Sequence, residues 1–77
     1  MRKPSKKLLN RLSANLQKYR RENNFSQEEL AERCGLHRTY IGSVERGERN
    51  VTLSTLEVLA ATLNVSISQL IENERNL

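Results

Sequence analysis

Between Ser26 and Asn50 the sequence reads SQEELAERCGLHRTYIGSVERGERN, and its punctuation leaves few ways to fold. Ser26 and Glu29 stand three apart as a capping box, in which each side chain satisfies a free amide at the other residue. A short helix over about Gln27 to Arg33 follows. Its apolar residues are Leu30, Ala31 and Cys34, and Gly35 closes it where an easily adopted positive φ is favoured. Only Leu36 and His37 separate it from the next segment. Two short helices joined by so tight a turn cannot lie antiparallel with much contact, so they cross steeply. This is a helix-turn-helix arrangement.

The flanking sequence supplies the helices that brace it. Ser5 can cap a first helix with Leu8 or Leu9, Leu12, Leu16 and Tyr19 at three- and four-residue steps, which gathers them on one core-facing side. Asn24 suits the left-handed conformation at its end, and Phe25 can then fold back onto the apolar side. Past Gly47, a cap at Thr52, or at Ser54 with Glu57 as box partner, starts a helix through Leu53, Leu56, Leu59 or Ala60, and Leu63. Asn64 ends it. Ser66 and Gln69 form another box before Ile67, Leu70 and Ile71, the start of a brief last helix. No strand-like alternation, repeat or low-complexity tract appears. The expected fold is all-α, a single domain over residues 1–77 made of about five short helices, with the helix-turn-helix at about 27–46.

A chain of 77 residues has room for one such domain and buries only about 60% of its unfolded surface. Stability must come from helix packing or dimerisation, because the lone Cys34 allows no disulfide pair and the lone His37 no ligand cluster. Cys34 reads as a small buried apolar filler in a reducing compartment. No apolar run approaches the roughly 20 residues that cross a bilayer, and MRKPSKKLLNRL lacks the apolar centre of a signal peptide, so the expected location is the cytoplasm. One histidine, one cysteine and no glycine-rich phosphate loop leave no catalytic constellation, so neither an enzyme nor a cofactor is expected.

The net charge of +4 is unevenly spread. Arg2, Lys3, Lys6, Lys7, Arg11, Lys18, Arg20 and Arg21 all precede the first acid, Glu22. Such a one-sided field attracts polyanions. A solvated helix face or a basic helix lying on a membrane surface would carry the same charges.

The third helix is the odd one. Thr39, Tyr40, Ile41, Gly42, Ser43 and Val44 are mediocre or poor helix formers, Gly42 by about 1 kcal/mol against alanine. At 100° per residue, Arg38, Thr39, Gly42, Ser43 and Arg46 gather within roughly 140° on one side, opposite Ile41 and Val44. A helix built only for stability would fill its exposed sector with Lys, Glu and Ala. Small side chains there let another body approach closely. The DNA major groove, about 12 Å wide, accepts such a helix, with Arg38 suited to guanine O6 and N7 and Thr39 to a base edge or thymine methyl. Gly42 gives room for close approach or packs against the second helix. Arg49, Asn50 and Thr52 in the following loop, and Gln27 at the start of the second helix, are placed for the phosphate backbone. Turn-making and capping serve Asn50 and Thr52 equally well.

These residues, above all SQEELA, ERGERN and LSTLEVLAATLNV, resemble the lambda-repressor and Cro type of helix-turn-helix, the XRE family, from Leu12 to about Leu70. HRTYIGSVERGERN is most similar to the controller proteins of restriction-modification systems. The resemblance implies a lambda-repressor-like fold and a homodimer that regulates transcription from operator DNA with two half-sites. The regulated genes would include its own and restriction-modification genes, through repression or activation, with RNA polymerase as a further partner. Carried over by position, it assigns DNA contacts to Gln27, Arg38, Thr39, Tyr40, Ser43, Arg46, Arg49 and Asn50, and an internal ion pair to Arg20 and Glu45. His37 departs from the family's usual Ser, Thr or Asp cap. Pairing would use the region of about 64–77, through Leu70, Ile71 and Leu77. The basic extension, residues 1–7, could reach DNA as an arm or lengthen the first helix toward a partner subunit. An antitoxin-like adaptor that docks another protein through ISQLIENERNL is the rival reading.

Overall fold

The computed structural model describes residues 4–73. Five helices follow in order: α1 (Lys6–Glu22), α2 (Gln27–Cys34), α3 (Arg38–Glu45), α4 (Leu53–Leu63) and α5 (Ile67–Ile71). The described residues contain no strand.

Local chemistry sets most of the boundaries. Ser5 Oγ accepts from the Leu8 amide at 3.1 Å and starts α1. At α2 the capping box is complete: Ser26 Oγ accepts from the Glu29 amide at 2.9 Å, and Glu29 Oε1 accepts from the Ser26 amide at 3.1 Å. The box at Ser66 and Gln69 repeats this before α5, at 3.0 and 2.8 Å. Thr52, not Ser54, caps α4, its Oγ1 accepting from the Thr55 amide at 3.2 Å. Gly35 sits at φ +68 after α2, which leaves Leu36 and His37 as the whole link to α3. Asn24 and Asn64 take φ 59 at the ends of α1 and α4, a conformation asparagine tolerates better than most residues. His37 makes no side-chain cap hydrogen bond.

The core joins every helix. Leu12 and Leu16 of α1, Leu30 and Ala31 of α2, Ile41 and Val44 of α3, Leu56, Leu59, Ala60 and Leu63 of α4, and Leu70 of α5 form one buried cluster. Tyr19 and Phe25 pack on its edge, as their spacing requires. Cys34 departs from the expected buried filler: it is half-buried, and its Sγ lies 3.4 Å from Thr62 Oγ1. Leu70 departs further. Expected at a dimer face, it is fully buried in the protomer, because α5 lies along α1 and turns Leu70 onto the leucine cluster. Ile71 stays half-buried beside it, and Leu77 lies outside the described residues.

Candidate nucleic-acid interface

Two buried apolar anchors fix α3. Ile41 and Val44 are sealed against the core, and their burial holds the opposite side of the helix toward solvent. Arg38 and Thr39 stand exposed on that side in the first turn, followed by Arg46 at its end and Arg49 and Asn50 in the loop. The two side chains on which a DNA-reading role depends most are therefore free to meet a ligand.

An ion pair beneath this face holds the motif together. Arg20 of α1 reaches Glu45 of α3 with Nε at 2.6 Å and Nη2 at 3.1 Å, one contact to each carboxylate oxygen. Their side chains are 12% and 5% exposed. Arg20 Nη1 also donates to the Phe25 carbonyl at 2.9 Å, tying the α1–α2 turn to the same point. Planar guanidinium and carboxylate groups matched in this way form directional, charge-assisted bonds. The Glu45 carbonyl accepts from Ser13 Oγ and from Gln17 Nε2, so α1 also secures the C-terminal end of α3.

Gln27 is placed by the same carboxylate. Its Nε2 donates to Glu45 Oε1 at 2.9 Å, which holds the carboxamide at the mouth of a cleft lined by Gln27, Arg38, Thr39, Gly42 and Arg46. Gly42 lies at the floor. A Cβ on it would stand 3.2 Å from Arg46 Nη1 and 3.7 Å from Gln27 Oε1, so the missing side chain lets the Arg46 guanidinium fold across the helix. Of the two expectations for Gly42, the structure shows the packing one: Gly42 is buried beneath Arg46 and the Gln27 side chain of α2. Arg46 Nε also meets Glu48 Oε1 at 3.2 Å, but both side chains are 59% exposed. An ion pair in water is worth about 0–1 kcal/mol, so a phosphate can displace Glu48 cheaply.

Tyr40 and Ser43 are placed differently from the outward set expected of them. Ser43 is buried at the helix surface, and its hydroxyl donates back to the Tyr40 carbonyl at 2.8 Å, as serine does inside helices. Tyr40 is half-buried against the core edge, with the Arg49 guanidinium 5.1 Å from its ring centre. Arg49 Nε lies 3.5 Å from Ser43 Oγ. The pair therefore supports Arg49 against α3. Sequence spacing places Arg49 only in a loop; nothing local signals that Tyr40 would anchor it.

Among the described residues no group of His, Cys, Asp or Glu could hold a metal ion, and no helix is long and apolar enough to cross a membrane. Two short helices joined by a two-residue link, the second exposing Arg38 and Thr39 and braced by a buried ion pair, define a helix-turn-helix DNA-binding module. The chain belongs to the helix-turn-helix family, of the XRE type of DNA-binding transcriptional regulators, which matches residues 16–70. It is 62% identical over 63 residues to the control protein C.SmaI of Serratia marcescens, covering 82% of this chain and 75% of that protein. The restriction-modification controller protein C.AhdI from Aeromonas hydrophila superposes with a TM-score of 0.77 at 40% identity, covering 80% of this chain and 94% of that one. The hypothetical transcription factor NHTF from Neisseria superposes with a TM-score of 0.82 at 41% identity, covering 94% and 84%.

Proposed function

We propose that this chain acts in the cytoplasm as a homodimeric regulator whose α3 helices enter successive major grooves of an operator, controlling its own gene and those of a restriction-modification system. The observation that carries the reading is the exposed pair Arg38 and Thr39 on a helix pinned from behind by Ile41, Val44 and the Arg20–Glu45 ion pair. Arg38 offers a bidentate donor to guanine and Thr39 a methyl and hydroxyl to the neighbouring base. Gln27, Arg46, Arg49 and Asn50 surround them with donors for phosphate oxygens, which set position and affinity without reading sequence. The similarity to C.SmaI and C.AhdI supports the assignment to restriction-modification genes.

Dimerisation supplies the second half-site. Ile71 is half-buried, and α4 exposes Leu53 at 76% and Val58 at 42%. Exposed aliphatics on so small a domain favour a covering partner. A second copy related by a two-fold axis would set the recognition helices about 34 Å apart, one turn of DNA. Repression by occlusion and activation through RNA polymerase are then separated by in vitro transcription from the bound promoter.

Selection from random duplexes followed by footprinting tests the reading. A site with two related halves one helical turn apart is expected, bound by a dimer at micromolar concentration. Arg38→Ala is expected to lose about 1–3 kcal/mol of discrimination at one base pair per half-site, while Gln27→Ala and Arg49→Ala weaken all sequences more evenly. Equal losses on selected and random DNA for Arg38→Ala, or binding by a monomer to one half-site, would overturn it.

A further inference from the structure

The cationic start of α1 is not absorbed by the helix-turn-helix. At 100° per residue, Lys6, Asn10, Ser13 and Gln17 fall within about 60° on one stripe of α1. Three of the four are already joined to the end of α3 and the turn beyond it. Gln17 Nε2 donates to the Glu45 carbonyl at 2.8 Å, and Ser13 Oγ donates to the same oxygen. Asn10 Oδ1 lies 3.1 Å from the point a Cβ on Gly47 would occupy, and Gly47, at φ +72, begins the loop that carries Arg49 and Asn50. On the other flank of that loop, Val51 shares an apolar groove with Leu8 and Leu9.

Lys6 is the next member of the stripe, one turn beyond the Gly47 contact, and it is exposed. Among the described residues no acid forms an ion pair with it. Nor does helix stability account for the charge, since the first turn of a helix favours acids, as α2 shows with Glu28 and Glu29. Lys7 is one step around the helix and lines a different cleft, closed by Glu72 and Asn73. The stripe sets Lys6 one helical turn from Asn10, the α1 residue beside that loop, whereas Lys7 lines a cleft with Glu72.

We propose that Lys6 contacts a backbone phosphate next to those reached from the α3–α4 loop, extending the DNA interface onto α1. The inference rests on the DNA-binding reading above, and the experiment separates the two. Wild type, Lys6→Gln and Lys7→Gln are titrated, between 50 and 300 mM salt in rough terms, with the duplex that the wild-type protein selects. Far-UV circular dichroism checks that each variant melts like wild type. Removing one cation from a phosphate flattens the slope of log affinity against log salt by about 0.9, so Lys6→Gln in a dimer is expected to flatten it by about 1.8. Lys7→Gln should leave the slope unchanged, and Lys6→Arg should restore it. Three outcomes overturn the proposal: an unchanged slope for Lys6→Gln, an equal change for Lys7→Gln, or a shift of the monomer–dimer balance by Lys6→Gln in sedimentation. If wild type binds no duplex at all, the DNA-binding reading itself has failed.

Discussion

Replacing Arg20 with methionine keeps most of the side chain's bulk and removes its guanidinium. Two donations to Glu45, at 2.6 and 3.1 Å, and one to the Phe25 carbonyl, at 2.9 Å, go with it. What remains is a carboxylate whose side chain is 5% exposed, with Gln27 Nε2 as its side-chain donor. Removing one partner of a buried pair costs about 3–5 kcal/mol, because the other charge is left desolvated and unpaired. At about 0.05–0.15 kcal/mol per residue, a 77-residue chain has about 4–12 kcal/mol in total. The loss is therefore a large share of the whole. In a domain of this size each kcal/mol moves the melting midpoint by about 4–8 °C, so a fall of about 12–40 °C is expected by far-UV circular dichroism. Urea unfolding gives the free energy directly. The double variant Arg20→Met with Glu45→Leu removes both charges and should be less destabilised than Arg20→Met alone. A loss under about 1 kcal/mol for the single variant, or a double variant no better than it, would refute the claim that this pair braces the motif.

Gly42→Ala should separate stability from function: its φ is not positive, so alanine adds about 1 kcal/mol of helix propensity and raises the melting midpoint, while displacing Arg46 and weakening operator binding. A stabilised protein with undiminished affinity would remove Gly42 from the interface. Leu70→Ala should cost about 2–5 kcal/mol in urea unfolding, as for a leucine deleted from a packed core. Ile71→Asp is expected to shift the protein toward monomer in sedimentation while it remains helical, and an unchanged dimer would place the subunit contact elsewhere.

The elements were legible in the sequence because their signals are local. Ser5, the two capping boxes and Gly35 act over three or four residues, and each does in the fold what its position implies. The orientation of α3 was legible for a related reason: Ile41 and Val44 are its only aliphatic residues, and burying them leaves Arg38 and Thr39 one way to face. Thr52 and Ser54 both satisfied the pattern of a cap for α4, and the spacing of that helix's apolar residues did not choose between them.

The sequence alone determined five short helices, a tight crossing of two of them and an outward arginine–threonine pair, all consequences of capping chemistry and helical period. The family resemblance already implied the Arg20–Glu45 pair, but the packing of the helices decided how that pair forms and which other polar groups meet. Glu45 takes Arg20 from 25 positions away and Gln27 from 18, Asn15 reaches the Leu70 carbonyl across 55, and Leu70 turns inward because α5 lies along α1. Pairings at such separations depend on how helices pack, and no periodicity within one segment encodes them.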